Sequence, residues 1–174
     1  MTIHPEIEAG RSGFRPNTND IVLRVNPANK LDVGDFFRKI CHESGHALEE
    51  SEALDLQGLL IDRVFDVITR GADGKPLGFE SLQKINSDYD ESEFYAITAP
   101  DKKTPTPYAT KLISKETYSR QNPPPVDAKP TSTELLSIWL EYAGTDAAFA
   151  EDFSAFYDLV EKQLLTTVKR KGYK

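Results

Sequence analysis

His42-Glu43-Ser44-Gly45-His46 is the stretch on which the reading of this chain turns, because it holds two of the three histidines among 174 residues. On a helix, positions i and i+4 stack on one face, so both imidazoles can hold one metal ion. The glutamate beside them can then act as a general base toward a water polarised by that ion. The surroundings favour a helix: Asp32 offers an N-cap, and Phe36, Phe37, Ile40, Cys41 and Leu48 follow it at helical spacing.

These five residues make the HExxH pattern and resemble the active-site helix of the zincin metallopeptidases. The resemblance implies His42 and His46 as zinc ligands and Glu43 as the catalytic base. Its flanks, Ile40, Cys41, Ala47 and Leu48, are uncharged, as in the family. There are departures. The family usually has a bulky apolar residue directly after the glutamate, and Ser44 stands there. Glu49 replaces the glycine of the extended pattern, and no histidine follows His46. Three protein ligands are needed to leave one open position on tetrahedral zinc. Glu80, Glu91 and Glu93 are the downstream glutamates to consider, none in a helical motif. Zincins also carry a sheet ahead of the motif helix, and only one convincing strand, Ile21-Val22-Leu23-Arg24-Val25, fits before residue 32. The competing reading is a solvated helix face, since Arg38, Lys39, Glu49 and Glu50 neighbour the two histidines.

Composition sets the frame. A content of 39% hydrophobic and 28% charged residues describes a globular protein with one real core. The net charge of -7 argues against a duplex-DNA binder and leaves room for acidic surfaces that take basic partners, nucleic-acid mimicry included. Cys41 is the single cysteine, so no intramolecular disulfide forms. With no signal-peptide pattern and no transmembrane-length apolar run, the expectation is an intracellular, cytoplasmic protein away from membranes.

Along the chain, residues 1 to about 19 read as an irregular arm. Leu60, Ile61, Val64, Phe65 and Ile68 form the apolar face of a second helix ending at Gly71, and a brief helix carries Phe79, Leu82 and Ile85. The acidic run Asp88 to Glu93 invites calcium. Glu93 stands where an EF-hand-type loop needs glycine, and Ala99 where it needs glutamate, so the run reads as a solvated turn. Strands are expected at Phe94 to Ile97 and Tyr108 to Ser114. Residues 121 to 130, with four prolines, read as a stiff spacer, alternatively a PxxP ligand. Thr131 and Glu134 make a capping box for a helix with Leu135, Ile138, Trp139 and Tyr142 on one face. A long helix opening at Thr145 or Asp146 carries the stripe Phe149, Phe153, Phe156, Val160, Leu164 and Val168.

The expected fold is α+β and predominantly helical: a short N-terminal sheet with helices (1–120), a Pro-rich linker (121–130) and a C-terminal helical hairpin (131–174). The functional balance goes to a non-catalytic protein–protein interaction protein, an adaptor or structural subunit of a larger assembly, with the make-up of small virus-encoded structural proteins. Its partners would be other proteins or further copies of itself, met through Trp139, Phe149, Phe153 and Phe156 if that stripe is not core, and it would need no cofactor. The rival is a zinc metallopeptidase using His42, Glu43 and His46.

Overall fold

The run Ile21-Val22-Leu23-Arg24 supplies the centre of a sheet. In the computed structural model, which describes residues 2–6, 12–15, 17–24, 32–51, 56–112, 130 and 134–172, strand β3 (Asp20–Arg24) lies between β1 (Thr2–Glu6) and β2 (Gly13–Arg15). β1 runs parallel to β3 and β2 antiparallel. Ile21, Val22 and Leu23 are all buried, so both faces of β3 are covered. β1 and β2 fall within the arm expected to be irregular. Their composition carries no strand signal, and pairing with β3 makes them strands. The tight return from β2 to β3 passes through Asn19, whose φ of 55° is left-handed, a conformation asparagine tolerates.

Helix α1 (Val33–Glu49) starts at Asp32, whose carboxylate accepts from the Gly34 and Asp35 N–H groups. Its burial reverses the ordinary amphipathic pattern. Glu43, Gly45 and Glu49 are buried, while Val33, Phe37 and Leu48 are exposed. The expectation of a solvated polar face holds at Arg38 and Glu50, which are exposed, and is corrected at Glu43 and Glu49: their side packs against α4 (Leu135–Thr145) and the β2–β3 side of the sheet.

Helix α2 (Leu56–Leu60) passes through a π-helical turn, Ile61–Phe65, into α3 (Asp66–Ile68) and presents Leu56, Leu60, Val64, Phe65 and Ile68 to the core. Where a brief helix is expected, β4 (Phe79–Ser81) pairs antiparallel with β5 (Phe94–Ala96), and only a 3-10 turn, Leu82–Lys84, is helical. The strand expected from Tyr108 is instead a 3-10 turn, Pro107–Thr110. Pro107, with its φ pre-set for a helical turn, begins it.

At the C-terminal end, α4 is followed by α5 (Phe149–Asp152) and α6 (Ser154–Arg170), so the expected single long helix breaks at Phe153. The aromatic stripe is core. Phe149 and Phe156 are fully buried, Trp139 and Phe153 pack against the same cluster, and the Trp139 indole donates to the Tyr157 carbonyl. Phe149 and Phe156 therefore leave no surface for a partner. That cluster joins Leu56 through Leu112 to Leu135 through Val160, so the segments on either side of 121–130 share one core. Of the expected linker only Pro130 is described, and it is buried; Thr131 of the capping box also lies outside the described residues. The fold is α+β and helix-rich, and no helix among the described residues is long and apolar enough to cross a membrane.

Candidate metal centre

The helical spacing of His42 and His46 puts their rings side by side on α1, with centroids 5.0 Å apart and planes at 80°. Opposite them, at the residue immediately before α4, stands Glu134. Its Oε2 lies 3.1 Å from His46 Nε2 and 3.4 Å from His42 Nε2. This oxygen is buried and is the shared ion-pair partner of both rings. The three donor atoms all lie within 4.8 Å of one another. Ligands at about 2.0–2.1 Å from a tetrahedral ion stand about 3.4 Å from each other. The two glutamate–histidine separations match those of co-ligands around one ion, and two histidines with one glutamate is a donor set that catalytic zinc uses.

Helix packing produces this convergence. Gly45 sits where α1 crosses α4, and a Cβ there would come within 2.4 Å of Ser137 Cα. Beside it, Glu49 Oε1 accepts from the Leu136 N–H at 3.1 Å. A carboxylate from α1 thus satisfies a first-turn donor of α4, where the helix dipole also favours negative charge. Two turns along α4 from Glu134, Glu141 Oε2 lies 3.1 Å from His42 Nδ1. A carboxylate on that nitrogen fixes the tautomer with Nδ1 protonated and leaves Nε2 free for an ion.

The charges respond to this crowding. Burial opposes ionisation of Glu134, but the His42 and His46 imidazoles outweigh it and hold the carboxyl down to about 2. Burial likewise opposes a charged His42, and Glu134 and Glu141 reverse the balance, pushing the imidazole up to about 10. His46 moves up for the same reason, burial being outweighed by Glu134. A buried carboxylate must be paired, by a protonated imidazole or by a metal ion in its place.

Glu43 lies beside the two histidines. It is 7% exposed, and burial raises its carboxyl while His46, His42 and a hydrogen bond from the Phe14 backbone pull it down. A carboxyl raised by burial beside a metal site is the environment of a general base. It lines a cleft of about 530 Å³ together with His42, His46 and, from the edge strand β2, Gly13 and Phe14.

The two histidines and Glu43 are thus brought together. Glu80 and Glu93 are engaged elsewhere, Glu80 with Tyr95 and Lys84 and Glu93 with Lys111, and neither they nor Glu91 joins the metal-competent group. By sequence Glu134 reads as part of a helix cap, and Glu141 carries no signal of its own. The one local signal is their two-turn spacing on the polar side of a helix. Comparison of the chain with protein-family models, curated proteins and solved structures gives no match.

Proposed function

We propose that the chain is a zinc-dependent hydrolase acting on polypeptide, with His42, His46 and Glu134 as ligands and Glu43 as base. The observation that carries this reading is the convergence of the buried Glu134 Oε2 on two imidazoles, 3.1 Å from His46 Nε2 and 3.4 Å from His42 Nε2. A zinc ion held by His42, His46 and Glu134 would supply Lewis acidity toward an attacking water. Glu43 would take the proton from that water and pass it to the leaving amine. Glu141 holds the His42 ring in register, and Glu49 holds the start of α4, hence Glu134, against α1. Edge strand β2, bordering the cleft, favours an extended peptide, because a strand edge can add one more strand.

The test is zinc content and peptide cleavage on the full chain, stripped of metal and reloaded. One zinc per chain is expected, lost in Glu134→Ala and His46→Ala. Glu43→Gln should keep the zinc and lose about 10²–10⁴-fold in turnover, the usual worth of a positioned acid–base group. A wild-type protein that binds no stoichiometric zinc sinks this reading.

The adaptor reading keeps one observation in its favour. The outward stripe of α1 exposes Val33 by 74%, Phe37 by 49% and Leu48 by 38%. Sedimentation of wild type against Phe37→Asp tests it, and a concentration-independent monomer in both removes self-association through this stripe.

A further inference from the structure

The walls of the cleft say what kind of side chain it takes. Among the described residues lining it are the carboxylates of Glu43, Glu50 and Asp88, and no lysine or arginine. With a divalent ion in place, Glu43 and Glu134 balance its charge. Glu50, just past the C-terminus of α1, and Asp88, in the loop after the 3-10 turn Leu82–Lys84, remain as two exposed negative charges at the rim. A cleft lined by one sign of charge raises the local concentration of the opposite sign.

The aromatic lining points the same way. Tyr89 and Tyr108 are stacked, with centroids 5.9 Å apart and planes at 26°, and both line the cleft. Tyr108 already meets one cation, Lys111, whose Nζ lies 5.0 Å from its ring centre and is paired with Glu93. Phenol faces attract ammonium and guanidinium groups, and an arginine adds planar stacking and a forked contact to a carboxylate. The aliphatic stem of either residue packs on the same rings.

We infer that the substrate is a basic polypeptide whose arginine or lysine side chain, next to the bond cut, packs on Tyr89 and Tyr108 and is neutralised by Asp88 and Glu50. The position of the bond rests on the hydrolase reading; the preference for a cation does not. Fluorescein-labelled nonapeptides alike except for a central Arg, Ala or Glu separate the two. On the zinc-loaded full chain carrying Glu43→Gln, anisotropy should show the Arg peptide bound at least about tenfold tighter than Ala, the scale of one cation–π contact with one ion pair, and Glu weakest. Asp88→Asn and Tyr89→Leu should each shrink that ratio, and Asp88→Lys with Glu50→Lys should invert it; the two carboxylates are exposed, so these changes spare the core. Equal binding of the three peptides, or an Arg preference unchanged by the double charge reversal, overturns the inference. If wild type binds the Arg peptide selectively and never cuts it, the hydrolase reading falls and the cation site stands. If it cuts all three equally, the reverse holds.

Discussion

Gly45 and Ser137 meet at the closest approach of α1 and α4: a Cβ on Gly45 would lie 2.4 Å from Ser137 Cα and 2.6 Å from its backbone nitrogen. Both obstacles are main chain, so no rotamer change relieves them. The spacing that this glycine permits is the spacing at which Glu134 reaches both histidines.

Gly45→Ala should therefore force the helices apart, costing about 1–3 kcal/mol as an overpacked contact. It should also weaken zinc binding, because the third ligand withdraws with α4. Gly58→Ala is the control. A methyl group on that helical glycine would meet nothing within 4 Å, so its stability should hold or rise by about 0.4–1 kcal/mol. Urea midpoints and zinc titrations of the pair decide it, and equal behaviour of the two variants would remove Gly45 from this role.

Glu141→Ala should leave the fold intact and lower zinc affinity about 10–100-fold, the usual cost of freeing a ligating imidazole from its orienting carboxylate. Competition with a chromophoric chelator measures this. Unchanged affinity would mean that the 3.1 Å contact to His42 Nδ1 is incidental.

Glu49→Ala should cost about 1–3 kcal/mol, because the Leu136 N–H then stays buried without an acceptor. Glu49→Gln keeps a carbonyl oxygen for that donor and should cost less. Equal losses in the two variants would point to the charge of Glu49, and not to its hydrogen bond, as the stabilising feature.

Tyr95 offers a pH signature away from the candidate metal centre. Burial, then the 2.8 Å hydrogen bond its hydroxyl donates to Glu80, push the phenol up to about 12. In the unfolded chain it ionises near 10. The folded state thus favours the neutral phenol, a contribution fully present below pH 10 and lost as pH rises from 10 to 12. The stability advantage of wild type over Tyr95→Phe should shrink across that window. A difference titration of tyrosinate absorbance between the two proteins locates the phenol directly, and a midpoint near 10 would contradict the geometry.

Much of the architecture is written locally. The spacing of Phe36, Ile40 and Cys41 after an Asp32 cap marks α1, the β-branched run marks β3, and the period of Phe149, Phe156 and Val160 marks the C-terminal core. The same local rules misplace the breaks. Phe153 interrupts a pattern whose periodicity continues through it, and β1 and β2 hold together only through a neighbour remote in sequence.

The candidate site divides along the same line. By itself the sequence determined that His42 and His46 share one helical face with Glu43 beside them, because a 3.6-residue period is a local property. Only the tertiary structure decided that this polar face turns inward, that Gly45 lets α4 close upon it, and that Glu134 and Glu141 arrive from the far end of the chain, His42 and Glu141 being 99 residues apart. Periodicity defines the faces of a helix but does not say which is buried. A ligand delivered across such a separation depends on packing, which leaves no mark near the motif it completes.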